Sequence, residues 1–134
     1  MISEKDLKEV RERDFLKKCD HYDDLKEIET KLVFGKHYDD EVFLTIILPV
    51  YDHPEEFIKR ALDSALSQKC SYKYQIIVID DYSMEKGQTV TEKYVRKLND
   101  TRVIYYKNTK NMGVFGNWNR AISLARSEWV SFLH

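Results

Sequence analysis

Residues Phe43-Leu-Thr-Ile-Ile-Leu-Pro-Val50 form the apolar stretch that decides the fold of this chain. A continuous run of this kind, rich in Ile, is typical of a strand that is covered on both faces. Further strands are predicted at Tyr74–Ile79, Arg102–Tyr106 and Trp129–Leu133, the last as a buried strand. Segments with apolar residues at helical spacing separate these strands. Three strand–helix–strand repeats predict an α/β fold with a mostly parallel sheet and flanking helices.

Apolar stripes mark the three connecting helices. Their members are Phe57, Ile58, Ala61, Leu62, Ala65 and Leu66 in the first helix, Val90, Tyr94, Val95 and Leu98 in the second, and Trp118, Ala121, Ile122 and Ala125 in the third. Pro54 suits the first turn of a helix, and we expect Asp52 or His53 to cap that helix.

The first 41 residues differ from the rest in pattern and charge. Residues 3–33 are highly charged, with apolar residues at helical spacing, which predicts one or two helices outside the main sheet. Residues 34–41 form a polar linker. We therefore divide the chain into a helical extension with its linker (1–41) and an α/β part (42–134). Residues 1–42 contain 9 Lys+Arg and 13 Asp+Glu, a net charge of −4, and the remainder has a net charge of +3.

Composition excludes several classes of protein. The net charge of −1 gives no general attraction to nucleic acid. Cys19 and Cys70 are too few for a disulfide framework, and the four histidines lack metal-ligand spacing. The amino terminus lacks the apolar core of a signal peptide, and the run Val42–Tyr51 is too short to span a bilayer, which needs about 20 residues. We expect a reduced, cytoplasmic protein that binds no nucleic acid.

Ligands of parallel sheets bind at the carboxyl ends of the strands, so the residues after each strand are the candidate site. Tyr51 follows the first strand, where its ring could stack on a flat base or form a lid over the core. Asp80 and Asp81 follow the second strand. These carboxylates could accept N–H bonds from a nucleobase, bind a metal or cap the next turn.

A long loop, residues 108–119, follows the third strand. Asn111, Gly113, Gly116 and Asn119 suit a backbone that passes close to a ligand, or a plain turn before a helix. No G-x-G-x-x-G follows the first strand and no G-x-x-x-x-G-K-[ST] occurs, which disfavours a dinucleotide site and a phosphate loop of the P-loop type.

Four collinear segments together resemble the family 2 glycosyltransferases. They are residues 44–52, 76–83, 111–122 and 127–133, within a resemblance that covers about residues 42–134. The resemblance implies a GT-A fold and a nucleotide-diphosphate sugar as donor, most often a UDP-sugar.

The resemblance also implies roles for residues that follow the first two strands. Pro49 and Tyr51 match the motif that holds the base, and Asp81 matches the carboxylate that bonds it, with Asp80 beside it. Two residues depart from the pattern: Asp52 replaces the usual Asn, and Tyr82 replaces a Gly whose loss would reshape the turn.

In the loop after the third strand, the resemblance places Asn111, Gly113 and Asn119 near the ribose and diphosphate. Trp118 stands where an Arg often precedes Asn119, so one phosphate contact is in doubt. The predicted nucleotide-sugar-binding set is Pro49, Tyr51, Asp80, Asp81, Asn111, Gly113 and Asn119.

The catalytic groups of the resembled family are expected beyond His134. There the fourth strand runs into an Asp-x-Asp-like motif that binds Mn²⁺ or Mg²⁺, and the general base lies farther on. We therefore expect a GT-A domain truncated after its fourth strand, with no catalytic or metal-binding residue and no activity by itself. The full-length enzyme would transfer the sugar, with inversion, to a hydroxyl of a glycan or lipid-linked acceptor in polysaccharide or glycan synthesis, and could lie at the inner face of the membrane.

Two alternatives remain open at this point. The chain could be a nucleotide-binding module without catalysis, or a protein-interaction domain that uses residues 3–33. A sheet that ends at the fourth strand would expose Trp129, Val130, Phe132 and Leu133. We expect that surface to cause dimerisation or marginal stability.

Overall fold

The computed structural model describes residues 25–84 and 87–134, which contain one five-stranded sheet and three helices. The strands are β1 (Thr30–Phe34), β2 (Val42–Val50), β3 (Tyr74–Asp80), β4 (Val103–Asn108) and β5 (Ser127–Phe132), and the helices are α1 (Glu55–Leu66), α2 (Val90–Leu98) and α3 (Gly113–Leu124). The predicted α/β class is confirmed.

The strand order β1-β4-β3-β2-β5 brings the functional loops to one edge of the sheet. β2 pairs in parallel with β3 and β5, and β3 pairs in parallel with β4. Val50 is in register with Asp80, which is in register with Lys107, so these three strands end at the same level. The chain moves to β3 on one side of β2 and returns to β5 on the other side. The carboxyl end of β2 is therefore the switch point at which ligands of such sheets bind.

The central strands are apolar throughout because helices cover both faces of the sheet. Leu48 packs with Ile58 and Leu62 of α1 on one face, together with α2. Ile47 packs with Ala121 of α3 on the other face. All seven residues of β3 are buried. Neighbouring residues of a strand point to opposite faces, so a strand covered twice needs no polar alternation.

The prediction of helix up to residue 33, and of a linker from residue 34, is wrong for Thr30–Phe34. These residues form β1, which pairs antiparallel with β4 at the edge of the sheet. Pairing with the open edge of β4 overrides a helical spacing that is only weakly apolar. The part of the prediction that concerns residues 3–24 lies outside the described residues.

The predicted cap of α1 is also wrong. Pro54 itself occupies the N-cap position, and no side chain caps this helix. The Asp52 carboxylate instead accepts the Met84 N–H, and Nδ1 of His53 accepts the Tyr51 N–H. Both side chains are used to hold the neighbouring loops.

β5 was predicted to be buried, but it is mostly exposed. Its only strand neighbour in the described part of the chain is β2, and Trp129 is 56% exposed. Val130 is exposed as well, whereas Phe132 packs against the α3 side of the sheet. The expected apolar surface is thus present at Trp129 and Val130. Among the described helices, none is long and apolar enough to cross a membrane.

Candidate functional site

A cavity of about 930 Å³ opens at the carboxyl edge of the sheet. It is lined by the loops that follow β2, β3 and β4, by α1 and α3, and by the residues after β5. Five of the seven predicted site residues line it: Pro49, Tyr51, Asp81, Asn111 and Gly113. Asp80 and Asn119 do not.

Asp81 is the buried carboxylate of this cavity, and the protein holds it in place through one oxygen. Its N–H donates to the Val50 carbonyl across 2.8 Å, which joins the ends of β2 and β3. Oδ1 accepts the Asn108 amide at 2.9 Å and the Met112 N–H at 2.7 Å. A carboxylate oxygen has about two lone-pair sites, so these two donors fill Oδ1. Oδ2 takes part in neither bond.

Asp80 has a structural environment. It is fully buried, and its carboxylate accepts the Ser83 N–H at 2.6 Å and the Tyr105 hydroxyl at 3.0 Å. Burial, followed by the charge of Asp80, raises the pKa of Tyr105, which therefore remains a hydroxyl donor. Of the three interpretations left open for the aspartates, capping of the next turn applies to Asp80, whereas Asp81 lines the cavity.

In the turn after β3, the residue at the position where the family pattern has Gly adopts a left-handed backbone conformation. Tyr82 has φ +67°, and Asp52 in the facing loop has φ +49°. The Asp52 N–H donates to Oγ of Ser83, and its carboxylate accepts the Met84 N–H. These bonds join the loops after β2 and β3 and hold both residues in a conformation that L-residues rarely adopt.

The side chain of Asn111 joins Asp81 to the start of α3. Its Nδ2 donates to the Asp81 carbonyl at 3.1 Å, and its Oδ1 accepts the Gly113 N–H at 3.0 Å. Gly113 has φ +75°, and a Cβ there would meet no atom within 4 Å. Gly is therefore required by the backbone conformation and not by lack of space.

Asn117, which the sequence analysis missed, lies in the cavity where Asn119 was expected. It is buried, it is one helical turn after Gly113, and its Oδ1 accepts the Asn108 amide at 2.9 Å. Asn119 is exposed and lines a separate, smaller cavity beside Leu25. Residues four apart share a helix face, whereas residues two apart do not. The phase of α3 would have indicated Asn117 once the start of the helix was known.

Asn108, the second residue that was missed, connects the site to the edge strand. It ends β4, is buried, and donates both amide protons, to Asp81 and to Asn117, each across 2.9 Å. Its Oδ1 accepts the Thr30 hydroxyl at 2.7 Å. Arg120 donates to Oγ1 of Thr30 and to two carbonyls before β1. We call the chain Arg120–Thr30–Asn108–Asp81 the polar relay.

Aromatic rings border the cavity on two sides. Tyr51 is 47% exposed at the end of β2. On the α3 side, Trp118 packs against Phe132 and His134, with ring centroids 4.9 and 5.0 Å apart. The position that was in doubt as a phosphate contact thus presents an indole ring to the cavity.

A model of the family described as glycosyl transferase family 2 matches residues 45–134, which is two thirds of the chain. The chain belongs to glycosyltransferase family 2. The four segments that suggested this family all lie within or next to the matched range.

Two relatives illustrate the similarity. An uncharacterized glycosyltransferase of Methanocaldococcus jannaschii is 28% identical over 94 residues, 70% of this chain and 32% of that protein. A UDP-Glc:α-D-GlcNAc-diphosphoundecaprenol β-1,3-glucosyltransferase of Escherichia coli is 33% identical over 91 residues, 67% of this chain and 34% of that protein. This family 2 chain therefore spans about a third of the length of these relatives.

A solved structure gives the same fold. It is the mannosyltransferase from Pyrobaculum calidifontis in complex with GDP-Man and Mn²⁺, with a TM-score of 0.52 and 18% sequence identity to this chain. The match covers 82% of this chain and 31% of the mannosyltransferase chain. The predicted GT-A fold of this family 2 chain is confirmed by that likeness.

The described residues do not fit a divalent metal by themselves. No group of three or more His, Cys, Asp or Glu side chains in ranges 25–84 and 87–134 could hold an ion. Asp81 is the single carboxylate that lines the large cavity. A metal site in a protein that contains this family 2 chain would need ligands beyond the described residues.

Proposed function

We propose that this chain forms the nucleotide-sugar-binding part of a glycosyltransferase and that its donor is a UDP-sugar. The observation that supports the choice of base is the environment of Asp81. Two protein donors fill Oδ1, and Oδ2 is left for a ligand in the cavity.

One free carboxylate oxygen suits a base with one donor on its edge. Uracil presents a single N3–H between two carbonyl groups. Guanine presents two adjacent donors, N1–H and the exocyclic amine, which pair best with both oxygens of a carboxylate. A hydrogen bond to a charged group is worth about 1.5–3 kcal/mol, so a guanine that is denied one such bond loses at least about tenfold in affinity. Thymine has the same edge as uracil and is expected to bind as well.

The other sides of the cavity suit the rest of a nucleotide. Tyr51 lines the cavity beside Pro49, which supports the proposal that its ring stacks on the base. Gly113 and Val114, in the first turn of α3, also line the cavity. Asn111 accepts the Gly113 N–H and the side chain of the N-cap residue Met112 makes no cap bond, so the N–H groups that follow Gly113 have no side-chain cap in the described part of the chain. The free N–H groups of a helix start attract anions, so this turn is the proposed position of the diphosphate.

For the whole protein, we propose transfer of the sugar, with inversion, to a hydroxyl of a glycan or lipid-linked acceptor in polysaccharide synthesis. Membership of family 2 supports the transfer. The similarity to the E. coli glucosyltransferase, whose name contains a UDP-sugar and a lipid diphosphate, supports the classes of donor and acceptor. We further propose that Mn²⁺ or Mg²⁺ assists the full-length enzyme, that the protein is cytoplasmic and that this chain pairs through the exposed face of β5.

The experiment that tests the proposal is calorimetric titration of the chain with UDP, TDP and GDP. UDP and TDP are expected to bind, GDP at least about tenfold more weakly. Asp81→Asn, which keeps the shape but replaces the charged acceptor, is expected to weaken UDP binding. Adding Mn²⁺ is expected to change UDP affinity little, because the described residues lack a set of metal ligands.

Three results would contradict parts of the proposal. Equal or tighter binding of GDP would contradict the choice of uracil, and a folded chain that binds none of the three nucleotides would favour a protein-interaction domain. Sedimentation of a monomer at high concentration would contradict pairing through β5.

A further inference from the structure

We infer that Asn108 is a positioning residue for base selection: through the polar relay it occupies Oδ1 of Asp81 and so limits the carboxylate to one donor from the base. This inference rests on the proposed function. Asn108 itself does not line the cavity, so its effect on the ligand is exerted through Asp81.

The directions of the bonds in the relay follow from its two ends. A guanidinium has donors and no acceptor, so Arg120 donates to Oγ1 of Thr30. The Thr30 hydroxyl keeps its own proton and donates it to Oδ1 of Asn108, at 2.7 Å. With its carbonyl oxygen fixed in this way, Asn108 has its amide protons on the opposite side, facing Asp81 and Asn117.

The reverse orientation of the Asn108 amide is unfavourable. It would direct the Asn108 carbonyl oxygen at two other acceptors, the Asp81 carboxylate and the Asn117 carbonyl, with no hydrogen-bond donor among the three groups. Asn108 is buried, so an unpaired acceptor there would not be compensated by water. Thr30 therefore determines, from the edge strand, that a donor faces Oδ1 of Asp81.

The relay separates the two oxygens of Asp81 by function. Oδ1 is held by the protein through Asn108 and Met112, and Oδ2 remains for the base. If the Asn108 amide is removed, the Met112 N–H alone remains of the two donors that hold Oδ1, so the carboxylate can turn and offer both oxygens to the cavity. A base with two adjacent donors then gains a partner, while a base with one donor gains none.

The test compares the ratio of the GDP and UDP dissociation constants among variants of the 134-residue chain. Asn108→Ala is expected to lower this ratio by about fivefold or more, toward one, since one bond to a charged acceptor becomes possible for guanine. Thr30→Val, which removes the hydroxyl and keeps the shape, is expected to lower it in the same direction. Thr30→Ser keeps the hydroxyl and is expected to keep the ratio.

Thr109→Val is the matched control. Thr109 is adjacent to β4, and its hydroxyl donates to the Glu29 carbonyl before β1 at 3.0 Å, outside the relay. The same Thr-to-Val change thus breaks a bond between the same two segments, and the ratio is expected to stay unchanged. Thermal unfolding of each variant identifies any that fail to fold. If Asn108→Ala fails to fold, the ratio measured for Thr30→Val tests the inference in its place.

The outcomes separate the inference from the proposed function. A folded Asn108→Ala or Thr30→Val variant that binds both nucleotides more weakly, with the ratio unchanged, would assign these residues a structural role only and overturn the inference. A wild-type chain that binds no nucleotide, or prefers GDP, would overturn the proposed function and the inference together.

Discussion

The hydroxyl of Tyr105 donates a hydrogen bond to Oδ2 of Asp80 across 3.0 Å, within the fully buried layer below the cavity. The same hydroxyl lies 3.2 Å from Oγ1 of Thr89, the residue that caps α2. Asp80 in turn accepts the Ser83 N–H. One buried tyrosine therefore connects the turn after β3 to the start of a helix, while the neighbouring aspartate is left to the cavity.

Tyr105→Phe is expected to lower the free energy of unfolding by about 1–3 kcal/mol, because Asp80 then loses a donor in a buried position. Urea denaturation measures this loss. Tyr51→Phe, which removes an exposed hydroxyl, serves as the control and is expected to leave stability within about 0.5 kcal/mol of wild type. Equal stability of Tyr105→Phe and wild type would show that the buried bond contributes nothing.

Tyr82→Gly is expected to stabilise the chain or leave its stability unchanged. A side chain in the left-handed region costs about 1–2 kcal/mol, and the added freedom of Gly in the unfolded chain offsets about 0.5–1 kcal/mol of the relief. Tyr51→Gly is the matched control, since Tyr51 is similarly exposed but is not among the residues with positive φ, and it should destabilise. Chemical denaturation that ranks the two variants in the opposite order would contradict the strain at Tyr82.

Asn117→Ala is expected to weaken UDP binding several-fold, whereas Asn119→Ala is expected to leave it unchanged. Asn117 lines the large cavity and holds the Asn108 amide, and Asn119 is exposed in the smaller cavity on another face of α3. Calorimetric titration of both variants distinguishes them. A loss confined to Asn119→Ala would restore the role that the family resemblance gave to that residue.

Stability is expected to decrease as the pH falls below about 6.5, because of His37. Burial lowers the pKa of His37, the Arg126 charge lowers it further, and a bond with Gln75 opposes them. The Tyr106 hydroxyl lies 2.7 Å from Nε2. Since the folded state binds this proton less readily than the unfolded state, the contribution is complete above the unfolded pKa and is lost as the pH falls through the folded one.

The measurement for His37 is the free energy of unfolding between pH 5 and pH 7.5. His37→Gln should reduce the slope over the acidic part of this range. A variant with the wild-type slope would show that other groups cause the decrease.

The strands and helices of the central sheet could be predicted because burial on two faces leaves a clear sequence pattern. β3 shows this most plainly, as every one of its residues is buried. β1 could not be predicted. It is an edge strand with exposed residues such as Leu32, so it shows neither a continuous apolar run nor a regular alternation of buried and exposed residues. Its place depends on the open edge of β4, which is distant in sequence.

Sequence alone placed residues at the cavity where they follow directly from the end of a strand, as at Pro49, Tyr51 and Asp81, and their role in binding stays a prediction. It missed residues of the cavity where their position depends on the phase of α3. The loop after β4 was expected to extend to residue 119, but the helix begins at Gly113, whose N–H is held by Asn111. Because α3 starts at Gly113, Asn117 faces the cavity. The position of that helix start could not be located from the sequence pattern alone.

The position of β1 has a consequence for how the unit can be isolated. The family match begins at residue 45, and the polar linker precedes residue 42, so either boundary would cut between β1 and the rest of the sheet. A polypeptide started there would lose Thr30 and Arg120's partners, and it would leave the backbone of β4 open to pairing with another molecule. A piece that keeps the whole sheet and the partners of Arg120 therefore has to include Leu25, well upstream of the segment by which its family is recognised.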